Sequence, residues 1–223
     1  MRFIAVLFIS VSTFSCNSVR DSVTFLPENY FLPEDQITNG KTFIYLDRSN
    51  GETTYIDYYF GDNNGRQVMI QRAYSLKGTN DSLIYLHRKL IESYSNLFNA
   101  SRLAKANILQ DIIIENGKRL GKNILSVSFE SDSTIWKIIS ESEFIKDTMF
   151  TWKGKSLSTL VIRTTYNTTV ENKFDSKQST NFKIEFNTYE AEKIGSIRLN
   201  ILTTTEHKPK IIDLIEIKDL SDN

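Results

Sequence analysis

The chain has 223 residues, with 27 Lys+Arg balanced by 27 Asp+Glu, 40% hydrophobic residues and a mean hydropathy of -0.30. A formal charge of zero excludes the cationic footprint with which nucleic-acid binders displace counterions from phosphates, so no nucleic-acid partner is expected. The single Cys excludes an internal disulfide framework and a cysteine zinc cluster, and nine Gly with three Pro exclude a collagen-like or Pro/Gly-rich disordered chain.

Met1-Arg2 precedes an apolar run, residues 3–14 (FIAVLFISVSTF), broken only by Ser and Thr. Spanning a bilayer core takes roughly 20 apolar residues, so this run has the length of a secretory signal instead. It ends at Ser15-Cys16, and the composition turns polar at once with Asn17, Ser18, Arg20 and Asp21. A lone Cys closing such a run resembles the lipobox of bacterial lipoproteins. The resemblance implies that residues 1–15 are a signal peptide removed before Cys16. It also implies that Cys16 is the lipid attachment point, with diacylglycerol on its thiol and an acyl chain such as palmitate on its amine. Thr13 and Ser15 stand where that family prefers Leu and Gly or Ala. Looser boxes of this kind are common in lipoproteins of the Bacteroidetes group, to which the Asn-, Ile-, Lys- and Phe-rich composition also points. Asn17, in place of the Asp that retains such proteins in the inner membrane, implies the outer membrane, on its periplasmic face or at the cell surface. An ordinary secretory signal cut nearby, with Cys16 as a passenger, is the alternative.

Residues 16–39 are expected to form a lipidated tether, followed by one β-rich domain over 40–223. The tether contains an echo, Phe25-Leu26-Pro27-Glu28-Asn29 and then Phe31-Leu32-Pro33-Glu34-Asp35. Pro fixes φ and holds the preceding Leu extended, so no regular element is expected to run through it. A pure spacer would be Gly/Ser-rich or charged; the aromatic units predict docking on the body through Phe25, Tyr30 and Phe31. A peptide motif for a partner is the sharper alternative.

From residue 40 onward, turn chemistry sets the reading. Four of the nine Gly follow Asn, at Asn39-Gly40, Asn50-Gly51, Asn64-Gly65 and Asn116-Gly117, and Asn-Gly between β-rich runs is the strongest short hairpin signal. Strands are predicted over 41–47, 52–60 and 66–74 as a meander, then over 110–115 and 119–130 around Asn116-Gly117. Five more follow at 134–140, 157–166, 181–187, 195–203 and 210–218. Alternation is cleanest in Phe182/Ile184/Phe186 and Ile197/Leu199/Ile201. One exception interrupts the pattern. Leu83, Leu86, Leu90, Tyr94, Leu97 and Phe98 recur at three- and four-residue steps, which predicts an amphipathic helix within 82–104, capped by Asp81 or Ser82. The fold class is therefore mainly β: a single antiparallel, strongly curved or barrel-like sheet of about ten strands with one packed helix.

Residue chemistry is sparse. No G-x-S-x-G elbow, phosphate-binding loop, dinucleotide fingerprint or H-E-x-x-H is present, so no catalytic residue, cofactor or metal ligand is assigned. His87 lies beside Leu86 and His207 in a polar turn before Pro209, without acidic neighbours at ligand spacing. The acidic turns Asp47–Glu52 and Asp62–Gly65 offer oxygens, but Asx-turn chemistry accounts for both. Glu141-Ser142-Glu143 places two carboxylates on one strand face, read as solvated charges. Ser131-Asp132-Ser133-Thr134-Ile135-Trp136 resembles the Asp-box of β-propeller enzymes but lacks its Gly and occurs once, and it reads as the start of a strand. Asp21-Ser22-Val23, Asp81-Ser82-Leu83, Asp132-Ser133-Thr134 and Asp147-Thr148-Met149 match the sites that Bacteroidetes envelope proteins O-glycosylate. Through the Cys-terminated signal and the C-terminal pair of strands around Lys193-Ile194-Gly195, closing on Leu214-Ile215-Glu216-Ile217-Lys218, the mature chain loosely resembles β-rich lipoproteins of those envelopes.

Two functions follow as expectations. One is a membrane-anchored, non-catalytic binding or assembly module for a lipid, glycan or protein partner. The other is a carboxylate-dependent hydrolase such as a glycosidase, whose paired acids converge only on folding. An apolar cavity without convergent acids favours the first, and two buried carboxylates about 5–10 Å apart in a cleft favour the second.

Overall fold

The computed structural model describes residues 27–30, 32–75, 80–86, 89–95, 104–105, 107–113, 122–130, 133–175, 177–204 and 209–220. Cys16, the signal segment, Phe25, Phe31, His87, His207 and Asn116-Gly117 lie outside the described residues.

Two 3-10 turns, Glu28–Tyr30 and Glu34–Ile37, precede thirteen strands. These are β1 (Lys41–Asp47), β2 (Thr53–Asn63), β3 (Arg66–Ser75), β4 (Asn80–Leu86), β5 (Lys89–Ser95), β6 (Ala104–Lys105) and β7 (Asn107–Ile113). They continue as β8 (Lys122–Glu130), β9 (Thr134–Trp152), β10 (Lys155–Asn172), β11 (Ser179–Ala191), β12 (Gly195–Thr204) and β13 (Lys210–Asp219). All belong to one sheet, in the order β6-β5-β4-β3-β2-β1-β13-β12-β11-β10-β9-β8-β7, and every recorded pairing is antiparallel, as between Phe43 and Ile56 or Thr164 and Phe186.

This order is the chain order bent into a ring. Apart from β6 and β7, neighbours in sequence are neighbours in the sheet, and β1 meets β13 over Lys41↔Asp219 to Asp47↔Ile212. The two outermost strands, β6 and β7, are separated by Ala106 alone, so their facing ends stand no more than about 7 Å apart. Thirteen strands can reach that arrangement only by curling back on themselves. No ladder joins β6 to β7 among the described residues, so the hydrogen-bonded sheet stays open at this seam.

Alternation sorts the side chains. On β8, Leu125, Val127 and Phe129 are buried between half-buried Ser126 and Ser128; on β10, Leu160, Ile162, Thr164 and Tyr166 are fully buried. With Phe43, Tyr45, Ile56, Leu83, Tyr85, Phe186, Leu199 and Leu214 they build one continuous core on the concave face. Hairpin chemistry supports the register. Asn64 and Gly65 take φ of 55° and 77°, the paired positive values of a two-residue hairpin turn, and Lys153-Gly154 repeats them at 48° and 77°.

The predicted helix is absent among the described residues: 82–86 lie in β4 and 89–95 form β5. Leu83 faces Ser93 and Tyr85 faces Leu90, with a register shift between Ile84 and Tyr85. A hairpin with a bulge spaces its apolar residues much as a helix does, and pairing β4 onto β3 covers an edge that a helix would leave bare. The rest of the predicted helix, residues 96–103, lies outside the described residues. The sheet also exceeds ten strands because β4, β5 and β6 replace that helix.

One end of the sheet is built unevenly. The β11–β12 turn stops early: β10 last pairs with β11 at Thr159↔Ala191, and β13 last pairs with β12 at Asp213↔Arg198. On either side, the β9–β10 hairpin runs on to Trp152↔Lys155 and β13 runs on to Asp219. The notch between them is filled twice. The hairpin tip reaches across, with Trp152 Nε1 donating to the Leu214 carbonyl at 2.7 Å and Phe150 packing on Tyr189 and under the Arg198 guanidinium. The N-terminal segment docks beside it: Tyr30 is buried, its hydroxyl shares a 2.9 Å hydrogen bond with Ser158 Oγ, and Lys193 N donates to Asn29 O at 2.7 Å. Docking through Tyr30 thus matches the aromatic pattern of this segment.

Replacing Trp152 by Phe keeps the ring but leaves the Leu214 carbonyl without this donor, and is expected to cost about 1–2 kcal/mol in urea unfolding. Trp152→Ala, which also removes the packing, should cost about 3 kcal/mol or more. Equal unfolding midpoints for wild type and both variants would show that the tip carries no stability.

Candidate functional site

Four acidic residues are buried among the described ones: Asp47, Asp57, Glu190 and Asp213. Three have strong donors. Asp47 Oδ1 accepts from Ser49 N and Oγ at 2.8 and 2.5 Å, and Lys210 Nζ lies 3.2 Å from Oδ2. Asp57 Oδ1 accepts from Thr42 Oγ1 at 2.8 Å and from the Tyr74 hydroxyl at 3.3 Å. Asp213 is clasped by Arg198 Nε at 2.6 Å and by Arg48 Nε at 3.0 Å. Burial alone would raise the Asp47 and Asp213 carboxyls, but hydrogen bonds from Ser49 and Lys210, and from Arg198 and Arg48, outweigh it and hold both below the ordinary value.

Glu190 is different. It is 5% exposed, sits one residue before the end of β11, and pairs with Leu160 on β10 and Ser196 on β12. Strand alternation with Phe186 and Thr188 turns it to the concave face. Burial pushes its carboxyl up to about 7, and hydrogen bonds with Thr188 and Ser196 offset only part of that. Its Oε1 is buried with no hydrogen-bond partner. Tyr45 approaches from β1, donating its hydroxyl to the Ser196 carbonyl at 2.8 Å, and burial raises its phenol well above the ordinary value. The groups gathered here are an acid, two aliphatic hydroxyls and a phenol, set among Leu160, Ile197 and Leu199.

A polar seam continues along the same face. Ser142 and Thr164 share a 3.0 Å hydrogen bond, Ser140 bonds the Tyr166 hydroxyl, and the Tyr85 hydroxyl donates to Gln71 Oε1 at 3.3 Å. All six of these side chains are buried. These polar groups are set into the packed core and satisfy one another there.

Glu141 is exposed and Glu143 half-buried, both on the face away from the core, opposite Thr165 and Arg163. Asp62 Oδ1 accepts from Gly65 N at 3.1 Å, and Asn50 and Asp47 cap the β1–β2 turn in the same manner. Among the described residues, no three His, Cys, Asp or Glu side chains gather as a metal site. Of the Asp-Ser/Thr sites, Asp81-Ser82 lies within β4 and Asp147-Thr148-Met149 within β9, where Met149 is 63% exposed. The sequence reading passed over Glu190. Its only trace in the chain is a charge at the inward position of the alternating run Phe186, Thr188, Glu190.

No known protein family and no curated protein matches the chain. Three solved structures are similar in fold. A candidate lipoprotein of Parabacteroides distasonis shows 11% identity and a TM-score of 0.49, over 85% of this chain and 98% of its own. A candidate exported protein with a YmcC-like fold from Bacteroides fragilis shows 9% identity and a TM-score of 0.42, over 84% and 98%. The hypothetical lipoprotein YmcC of Escherichia coli shows 10% identity and a TM-score of 0.36, over 84% and 90%. Likeness of this order bears on neither site nor activity.

Glu190 gives stability a pH dependence. Its folded-state value lies above the ordinary 4.5, so the unfolded chain releases the proton first. Stability is then full below about pH 4 and falls as pH rises through about 7, by on the order of 3 kcal/mol. Asp213 and Asp47 are lowered, so their contribution is lost only on acidification below about pH 4. Glu190→Gln should flatten the loss between about pH 5 and about pH 8 in denaturant titrations. An unchanged slope would mean that Glu190 titrates as if it were in water.

Proposed function

We propose that the chain is a lipoprotein of the bacterial outer membrane, anchored through Cys16, whose curled sheet is a non-catalytic binding module for an apolar or amphiphilic ligand. In this reading residues 1–15 are removed as a signal peptide, 16–39 tether the protein, and 40–223 form the binding body. The anchor rests on the sequence: an apolar run of signal length, ended by the only Cys and followed at once by polar residues. Several acyl chains on one residue hold a protein at a membrane durably, since each buried methylene contributes about 0.8 kcal/mol.

The binding reading rests on one observation, the concave face. It is predominantly apolar, with hydroxyls and one neutral-leaning acid set into it, and its sheet curls through more strands than side chains alone fill in the smallest barrels, about eight. A hydrolase of the glycosidase type needs two carboxylates working together. Burial, not a neighbouring acid, raises Glu190, and the other buried acids have their oxygens engaged by cations and hydroxyls.

Fatty-acid labelling of wild type and Cys16→Ala, with fractionation, tests the anchor. Wild type should take up label and partition with outer membranes, and Cys16→Ala should do neither while keeping a strand-dominated circular-dichroism spectrum. Mass spectrometry of the mature protein isolated natively tests the binding body, which should carry a copurifying apolar or amphiphilic molecule. An unlabelled, soluble wild type overturns the anchor, and an empty protein from native membranes overturns the module.

A further inference from the structure

We infer that the tip of the β9–β10 hairpin, around Trp152, Lys153 and Lys155, is a second membrane contact that seats on anionic phospholipid headgroups. This rests on the reading of Cys16 as the lipid anchor, and adds to it an orientation of the body and a lipid preference.

The first argument is reach. The N-terminal segment joins the body beside this tip: the Tyr30 hydroxyl bonds Ser158 Oγ at 2.9 Å, and Ser158 is the register partner of Met149. Lys193 N, in the β11–β12 turn, donates to Asn29 O at 2.7 Å, and Glu192 N of the same turn donates to the Ser158 carbonyl at 3.0 Å. Cys16 precedes Pro27 by eleven residues, so a chain at full stretch places the anchor about 40 Å or less from this end. Trp136, near the other end of β9, is sixteen residues from Trp152, roughly 50 Å along the strand.

The second argument is composition. Phe150 and Trp152 fasten the tip to the body, through Tyr189 and the Leu214 carbonyl. Strand alternation turns Met149 and Thr151 the other way, and Met149 is 63% exposed. Lys153, Gly154 and Lys155 close the hairpin in the open, with the Lys153 ammonium 5.1 Å from the Trp152 ring centroid. No acid occurs from residue 148 to residue 170, and among the described residues neither lysine has an ion-pair partner. Lys193 adds an exposed cation in the adjacent turn, beside half-buried Glu192. Trp with Lys and an exposed Met suits a bilayer interface, where an indole settles among headgroups and ammonium groups meet phosphates. A tip that served packing alone would need Trp152 but would have no use for two unpaired lysines beside the tether.

The test uses the full mature acylated chain in vesicles of phosphatidylethanolamine and phosphatidylglycerol, with a headgroup-spin-labelled lipid as quencher. The chain has two Trp, so Trp136→Phe reports on Trp152 alone and Trp152→Phe on Trp136 alone. Trp152 should lose about half of its fluorescence and Trp136 less than about a tenth. In the Trp136→Phe background, Lys153→Glu with Lys155→Glu should cut the Trp152 quenching at least about twofold, whereas Lys153→Arg with Lys155→Arg should preserve it. Replacing phosphatidylglycerol by phosphatidylcholine should act like the Glu pair. Flotation with the vesicles scores the anchor separately. A chain that floats with Trp152 unquenched, or with both Trp quenched alike, overturns the tip contact and leaves the anchor standing. Quenching indifferent to the Glu pair or to phosphatidylglycerol overturns the headgroup assignment. A chain that does not float overturns the anchor, and the tip contact with it.

Discussion

A strand presents backbone N–H and C=O groups on both sides, and each side needs a neighbour or water. That requirement governs this molecule. With thirteen strands in chain order, pairing of consecutive strands satisfies every internal edge except that between β6 and β7, and leaves the outer sides of the first and last strands. The β1–β13 ladder satisfies those two at once by joining residues 41–47 to 212–219. Once it forms, the remaining free edges are β6 and β7, and the chain itself carries one to within a residue of the other. Curvature, an interior and a concave face all follow from closing the chain's own ends.

The interior then sorts charge by availability of partners. Asp213 takes two arginines and Asp47 a lysine, which help hold both below the ordinary carboxylate value, while Asp57 is bonded by a threonine and a tyrosine. Glu190, on the core side, has hydroxyl neighbours only and drifts toward neutrality. The difference is one of surroundings and not of residue type: burial acts on Asp47, Asp213 and Glu190 alike, and only at Glu190 do the hydrogen bonds fail to outweigh it.

Much of the fold was legible in local chemistry. Asn64-Gly65 announced its hairpin because few residues other than Asn and Gly accept two consecutive positive φ angles. The strands around Phe186 and Leu199 alternate as their burial does. Lys153-Gly154 makes the same turn without the Asn, and Glu141, Glu143, Lys146 and Asp147 interrupt the apolar run before it, so β9 and β10 looked shorter than they are. The β4–β5 hairpin was misread because one bulge slides Leu90 opposite Tyr85 and leaves a helical spacing in the sequence. The site was not legible at all. Glu190, Ser196 and Tyr45 meet through pairings more than a hundred residues long in part, and nothing in the local sequence of any of them signals the other two.

The β1–β13 ladder also sets an order of events. Residue 41 waits for residue 219, a separation of nearly the whole chain, and non-local pairing of this kind is slow to form. A chain threaded through a membrane N-terminus first would therefore emerge with its hairpins able to form locally but its ring unable to close until the final strand is through. Until that moment it is a set of loosely joined hairpins with β1 unpaired on one side, the state in which a carrier or a translocation channel can still hold it. Completion of β13 ends that window and commits the protein to its final shape.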